Sequence, residues 1–335
     1  MARISDIELS QPVSQLFAER RSYSKGRLDS LSSSLSKQKH VQYFDRLAIF
    51  AAGSYGRLEA SEHSDIDLFF ILDARKDDLE EFHVPEIRML SDVITVGDQM
   101  SFPKFSNDGE FLRIMFLSDM LGDLGSRSDD YNNHFTARML LMLEGRSIFN
   151  AATYEICLNQ TIETYFRDYE HHPSDFRPTF LINDILRFWK TLCLNYENRR
   201  NQIEQRSKIK QKIKNFKLKF SRMLTCFGSI AAIAAYKEGI SAEEVAKLCM
   251  LTPLERIIAV VEKVQSARPL AVQAATHYSW FLGLTGLSTE ELESHFQSRD
   301  NRIEAFRRAQ EFGDTIFSIL KVIDADHESL RYLVV

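Results

Sequence analysis

The chain has 335 residues, of which 44% are apolar and 27% are charged, which is the composition of a globular protein rather than a disordered one. Lys and Arg number 42 against 47 Asp and Glu, so the net charge of −5 argues against a chain built wholly for binding nucleic acid. Four cysteines without a Cys-x-x-Cys pair are too few for a disulfide framework or a structural zinc site. The most apolar stretch, 230–236, is too short to span a bilayer, and the first residues lack the apolar core of a signal peptide. We therefore expect a cytoplasmic protein without membrane contact.

In the first third of the chain the spacing of apolar residues changes several times. Residues 1–45 have helical spacing, and residues 47–52 then form a short apolar run that is typical of a buried strand. A polar loop leads to a second strand-like run at 65–72, and residues 76–98 return to helical spacing. A third strand-like run at 111–116 follows a turn cluster. These runs predict a small sheet with helices around it.

From about residue 117 onward the patterns are helical. Helix-start capping boxes begin at Ser241, Thr252 and Ser288, and Pro253 fits a first helical position. Glycine (13) and proline (7) are rare, which favours long helices. We predict an α+β chain with two domains, a small mixed-sheet domain at 1–150 and an all-helical domain at 151–335.

The segment between the first two predicted strands contains the residues that point to chemistry. Gly53 ends the first strand where the chain must turn sharply, and Ser54 brings a hydroxyl and an N–H group to that turn. Asp65 and Asp67 follow at alternate positions, which in a strand places both carboxylates on one face. Two adjacent carboxylates repel each other unless a cation lies between them, and hard oxygen ligands suit Mg²⁺ or Mn²⁺. The alternative is structural: Ser64 and Asp65 turn the chain into the strand, and Asp67 pairs with Arg57.

The segment GSYGRLEASEHSDIDLFFI, residues 53–71, resembles the signature of the DNA polymerase β-type nucleotidyltransferase superfamily. Within it, the segment is most similar to the transferase domain of the PII-protein uridylyltransferases. The resemblance is specific over residues 50–72 and extends to the remainder only as architecture. It implies that Gly53 and Ser54 contact the phosphates of a nucleoside triphosphate (NTP), and that Asp65 and Asp67 hold two divalent metal ions. It also implies that Arg57 touches phosphate or holds the loop.

The family uses a third carboxylate on a later strand, and the sequence offers several candidates. Glu110 leads directly into the run at 111–116 and is favoured as the third metal ligand and catalytic carboxylate. Asp108 is the next choice, and both residues also fit an ordinary turn. Asp92 and Asp98 are further options, although they fall in a helix-like stretch.

The second half of the chain contributes candidate cations. Two-domain members of the superfamily contact the triphosphate with a lysine from the helical domain, and Lys190 resembles that lysine by position. The second candidates are Lys219, Ser221 and Arg222. Residues 199–222 hold ten basic residues and one acid, which indicates either a solvated helix face or an electropositive surface for a triphosphate or RNA.

The combined prediction is a metal-dependent nucleotidyltransferase that moves a nucleoside monophosphate from an NTP to a hydroxyl acceptor. The acceptor is left open among a protein side chain, an RNA end and a small molecule, and the oligomeric state is also open. The alternative is a non-catalytic nucleotide- or RNA-binding regulatory protein, of the toxin–antitoxin type, that keeps a degenerate transferase fold.

Overall fold

The computed structural model describes residues 3–105, 109, 111–171, 173–174, 176–200 and 205–327. By their internal contacts the residues divide into two compact units. The sheet unit is Glu19–Arg167, and the helical unit combines Met1–Ala18 with Asp168–Val335. The predicted boundary between residues 150 and 151 stays a prediction.

The sheet unit is built on one mixed four-stranded sheet. Its strands are β1 (Leu47–Ala52), β2 (Asp67–Leu72), β3 (Ile114–Phe116) and β4 (Arg146–Phe149). The order is β3-β2-β1-β4; β1 is antiparallel to both of its neighbours, and β2 runs parallel to β3. The α+β class with a small mixed sheet, predicted from the sequence, is confirmed.

Among the described residues, seven α-helices lie in this part of the chain. They are α1 (Gln11–Leu35), α2 (Gly53–Gly56), α3 (His83–Gln99), α4 (Leu117–Gly122), α5 (Arg127–Tyr131), α6 (His134–Glu144) and α7 (Ala151–Glu163). The division between the two units falls within α1.

Both faces of the sheet are covered, which explains why β1 is apolar at every position. On one face Ile49 and Phe70 belong to a core that includes the apolar residues of α1 and α3. On the other face the ring of Phe50 stacks on Phe69 with centroids 5.3 Å apart and lies 5.9 Å from the ring of Tyr154 in α7. A strand buried on both faces reads as a continuous apolar run rather than an alternating one.

The helical unit contains the remaining helices. They are α8 (Thr179–Arg200), α9 (Gln205–Lys217), α10 (Met223–Ala234), α11 (Ala242–Cys249), α12 (Pro253–Lys263), α13 (Arg268–Thr285), α14 (Thr289–Gln297) and α15 (Arg299–His327). A π-helical segment, Leu218–Arg222, joins α9 to α10. Phe220 is fully buried there and stacks on Phe281 and Phe312, with both pairs of ring centroids 4.8 Å apart. Among the helices of the described residues, none combines the length and hydropathy needed to cross a membrane.

Several predicted element bounds are corrected. The second strand begins at Asp67 rather than at residue 65, and the third is limited to Ile114–Phe116. The helix predicted from residue 76 begins at His83. Strand β4 was not predicted, because four residues of mixed polarity give no periodic signal. The three predicted capping boxes and the position of Pro253 are confirmed.

A buried ion pair links α5 to α6 within the sheet unit. The guanidinium of Arg138 donates two hydrogen bonds of 2.8 Å to the carboxylate of Asp129, and both side chains are fully buried. Removal of one partner from such a pair leaves an uncompensated buried charge. The pair therefore constrains how these two helices pack.

We expect Asp129→Asn to lower the free energy of unfolding by about 3–5 kcal/mol, because the Arg138 charge then lacks its carboxylate. Asp130→Asn is the matched control, since its side chain is the exposed neighbour on the same helix. Urea unfolding measures both variants. Equal stability of the two would contradict a structural role for the pair.

Candidate functional site

The chain bends sharply where β1 ends. Gly53 has φ +64°, which lies in the left-handed region that favours glycine. A Cβ atom placed on Gly53 would lie 2.6 Å from Oδ2 of Asp67, so the carboxylate of Asp67 packs directly against this bend. The antiparallel register explains the approach, because Asp67 is the ladder partner of Ala52. The structure thus brings together Gly53 and Asp67, which the sequence places 14 residues apart.

The two predicted metal ligands differ in their surroundings. Asp67 is the first residue of β2 and is half-buried, on the same face of the strand as Phe69. Asp65 lies two residues before the strand and is exposed, while Ile66 between them is buried. Asp67 is therefore fixed by the sheet, and Asp65 belongs to the end of the preceding loop.

Ser54 follows the bend and is half-buried. Its carbonyl oxygen accepts a 2.8 Å hydrogen bond from the N–H of Glu59, which draws the loop back towards α2. Within the part of the chain that the structure describes, its hydroxyl has no hydrogen-bond partner. The hydroxyl is therefore available to a ligand.

The bend is held by hydrogen bonds to Glu144, a residue that the sequence did not suggest as part of the site. Its side chain is fully buried at the end of α6, where Oε1 accepts a hydrogen bond from the N–H of Gly53 at 3.3 Å. Its Oε2 accepts one from Arg57 at 2.6 Å. No local pattern marks Glu144 in the sequence, since it lies 91 positions away from Gly53.

Arg57 is buried between two carboxylates. Besides Glu144, its Nε donates a 2.8 Å hydrogen bond to Glu59, whose side chain is also nearly buried. Of the two roles that the family resemblance implies for Arg57, these contacts support holding the loop. A contact of Arg57 with phosphate stays a prediction.

A second glycine allows α2 to pack closely against α6. A Cβ atom on Gly56 would lie 2.0 Å from the backbone oxygen of Glu144 and 2.7 Å from that of Ala51. Between the two glycines, the ring of Tyr55 makes an edge contact with Phe102. Burial raises the pKa of the Tyr55 phenol well above its ordinary value, and a hydrogen bond with Arg27 acts in the opposite direction.

The structure describes only two of the four candidates for the third carboxylate. Glu110 and Asp108 lie outside the described residues, so their predicted roles stay predictions. Asp92 and Asp98 are both on α3, where Asp92 accepts hydrogen bonds from the backbone N–H of His40 and pairs with its ring. Among the described residues, no group of three or more His, Cys, Asp or Glu side chains is arranged to hold a metal ion.

The predicted phosphate-contacting lysines belong to the helical unit. Lys190 is exposed on α8, beside Trp189, whose ring packs on Phe227. Lys219 is half-buried in the π-helical segment. Burial raises the pKa of the Cys193 thiol on α8, and the positive charge of nearby Lys219 opposes that shift. Lys219 therefore lies close to Cys193 of α8, the helix that carries Lys190.

The other two second candidates, Ser221 and Arg222, also lie in the π-helical segment. The Ser221 hydroxyl donates a 2.9 Å hydrogen bond to the carbonyl oxygen of Lys217. Arg222 is half-buried at the end of the segment. The roles of all four residues towards phosphate stay predictions.

Comparison of the chain with protein-family models, curated proteins and solved structures gives no match in any of the three.

We expect Gly53→Ala to lower the free energy of unfolding by about 1–2 kcal/mol, because φ is positive and the new methyl group would displace the Asp67 carboxylate. Gly26→Ala is the control: Gly26 lies inside α1 with nothing within 4 Å of an added Cβ. There alanine should stabilise by about 0.5–1 kcal/mol. Urea unfolding should give opposite signs; a stabilising Gly53→Ala would contradict the strain at the bend.

We expect Glu144→Gln to destabilise the sheet unit by about 1.5–3 kcal/mol, since it weakens two buried hydrogen bonds and removes the charge opposite Arg57. Glu155→Gln, on the exposed side of α7, should change stability by less than about 0.5 kcal/mol. Chemical denaturation of both variants tests this. A Glu144→Gln protein as stable as the control would show that the hydrogen bonds of Glu144 with Gly53 and Arg57 do not contribute to stability.

Proposed function

We propose that the protein is a metal-dependent nucleotidyltransferase. The observation that carries the proposal is the packing of the Asp67 carboxylate against the left-handed Gly53, with Ser54 next to the bend and Asp65 exposed two residues before Asp67. A phosphate-sized anion and two carboxylates can meet at such a bend because glycine lets the chain approach closely. The family resemblance of residues 53–71 supports the same assignment.

The donor chemistry of the bend suits a divalent cation. Asp65 and Asp67 supply hard carboxylate oxygens of the kind that Mg²⁺ and Mn²⁺ prefer. They would hold the metal together with Glu110, the predicted third ligand. When bound, the metal would supply Lewis-acid stabilisation of the phosphate charge and would lower the pKa of the attacking hydroxyl.

The roles proposed for the other residues follow from their placement. Ser54 would donate its hydroxyl to the β- or γ-phosphate of the NTP, and Gly53 would let that phosphate approach the backbone. Lys190 and Lys219 are proposed to contact the triphosphate from the helical domain. Glu144 and Arg57 act on the site indirectly, because they hold the bend in its left-handed conformation.

The proposed reaction is an in-line displacement at the α-phosphorus. The acceptor hydroxyl oxygen forms a bond to this phosphorus, and the bond from the phosphorus to the oxygen that bridges to the β-phosphate breaks. The hydroxyl proton leaves to solvent or to a carboxylate, and pyrophosphate departs. The product is the acceptor joined to a nucleoside monophosphate.

We expect the double variant Asp65→Asn, Asp67→Asn to lose transfer while keeping the fold, because amides cannot replace two anionic metal ligands. The measurement is the release of pyrophosphate, with a label appearing in the protein, RNA or small-molecule fraction of a lysate after incubation with each labelled NTP and Mg²⁺. Asp77→Asn with Asp78→Asn is the matched control, since both carboxylates are exposed on a separate 3₁₀ turn.

Full turnover by the Asp65, Asp67 variant would refute the assignment of these residues. Nucleotide binding by the wild-type protein without any release of pyrophosphate would favour the alternative, a regulatory protein with a degenerate transferase fold.

A further inference from the structure

The helical unit has a concentration of positive charge of which the proposed chemistry uses only Lys219. Ten of the residues at 199–222 are Lys or Arg and one is acidic, in a chain whose net charge is −5. The part of this stretch in which the structure describes side chains consists of most of α9 and the π-helical segment after it.

The apolar side of α9 fixes the direction of its lysines. Ile213 and Phe216 are buried, and the Phe216 ring packs on Phe220 at 5.2 Å and on Phe296 at 5.3 Å. Because these aromatic rings form the core, they are not available as stacking platforms for bases. The lysines of α9 lie on the sides of the helix that face away from this core.

Three of these lysines form the surface of interest, which we name the α9 basic surface: Lys208, Lys212 and Lys214. Lys208 and Lys214 are exposed, and Lys212 is half-buried. Among the residues described by the structure, none of the three has an ion-pair partner. Lys210, on the same helix, lies 3.6 Å from Glu293 of α14.

Three other basic residues of the same unit are paired with acids on their own helices. Lys247 on α11 lies 2.7 Å from Glu243, one turn earlier. On α15, Arg307 and Arg308 share Glu304 at 2.8 and 2.6 Å. These three positive charges are compensated by acids on their own helices, as is usual for a solvated helix face.

On α9 the neighbours along the helix have the same charge. Lys208 and Lys212 are four residues apart, as are Lys210 and Lys214, and like charges at this spacing repel each other and destabilise a helix. An external polyanion laid along α9 would relieve this repulsion and release its own counterions to solvent. The lack of acidic partners among the described residues, together with this repulsion, points to a partner of opposite charge.

We propose that the α9 basic surface binds the phosphate backbone of single-stranded RNA. The choice of RNA rests on the proposed function, which needs a hydroxyl acceptor, because an RNA strand has both a phosphate backbone and terminal 2′- and 3′-hydroxyl groups. Since the neighbouring aromatic rings are buried, the binding is electrostatic and independent of base sequence.

The test is fluorescence anisotropy of a labelled 20-nucleotide oligo(U) with the full chain, at several salt concentrations between 50 and 200 mM. We expect the triple variant Lys208→Gln, Lys212→Gln, Lys214→Gln to bind at least tenfold more weakly. Its plot of log affinity against log salt should be shallower by about 2, because each lost phosphate contact to a single strand removes about 0.7. The variant Lys247→Gln, Arg307→Gln, Arg308→Gln loses the same net charge from compensated positions and should bind like the wild type.

Equal RNA affinity in the two triple variants would overturn the proposal, as would wild-type binding that does not weaken with salt. Stronger binding of oligo(dT) than of oligo(U) of the same length would overturn the choice of RNA, and stronger binding of poly-glutamate would assign the surface to an acidic protein segment instead. The outcome is independent of NTP turnover: loss of transfer in the Asp65, Asp67 variant with intact RNA binding would separate the transfer site from this surface. Conversely, transfer activity without RNA binding would leave the proposed function standing and remove this inference.

Discussion

A carboxylate oxygen of Asp67 occupies the space in which any residue other than glycine at position 53 would place its side chain. This constraint connects the end of β1 to the start of β2, and it is possible because Ala52 and Asp67 are direct ladder partners. The positive φ of Gly53 then turns the chain into α2, beside the carboxylate. An L side chain at this position would have to change the backbone, the carboxylate or both. The geometry of the proposed metal and phosphate site is therefore set by backbone conformation as much as by acidic side chains.

The bend depends in turn on the end of α6. Glu144 uses one carboxylate oxygen for the N–H of Gly53 and the other for Arg57, and its backbone oxygen lies against Gly56. A buried ion pair of this kind is weak evidence for overall stability, but breaking it is costly, so it fixes one arrangement of the groups around it. A turn held in this way is preorganised before any ligand arrives, which is what positioning of a triphosphate requires.

The charged residues discussed above have different environments in the two compact units. In the sheet unit the important charges are buried and paired, as in Arg138 with Asp129 and Arg57 with Glu144. In the helical unit exposed basic residues of α11 and α15 pair with acids on their own helix, whereas Lys208, Lys212 and Lys214 of α9 have no ion-pair partner among the described residues. Buried pairs specify geometry, whereas uncompensated surface charge attracts a partner over a Debye length of about 8–10 Å. The proposed transfer chemistry and the proposed RNA contact thus rest on separate physical features.

The sequence by itself determined the features that depend on local pattern. The apolar run at 47–52, the glycine that ends it, the two aspartates and the capping boxes at Ser241, Thr252 and Ser288 are all short-range signals, and the structure contains each of them. Only the tertiary structure decided what depends on contacts between distant residues. Strand β4 forms because β1 offers it a free edge, Glu144 reaches Gly53 across 91 positions, and the same carboxylate pairs with Arg57 across 87 positions. The physical reason is that hydrogen bonding, burial and charge pairing between remote segments depend on how the chain folds back on itself, and periodicity along the sequence contains no record of that path.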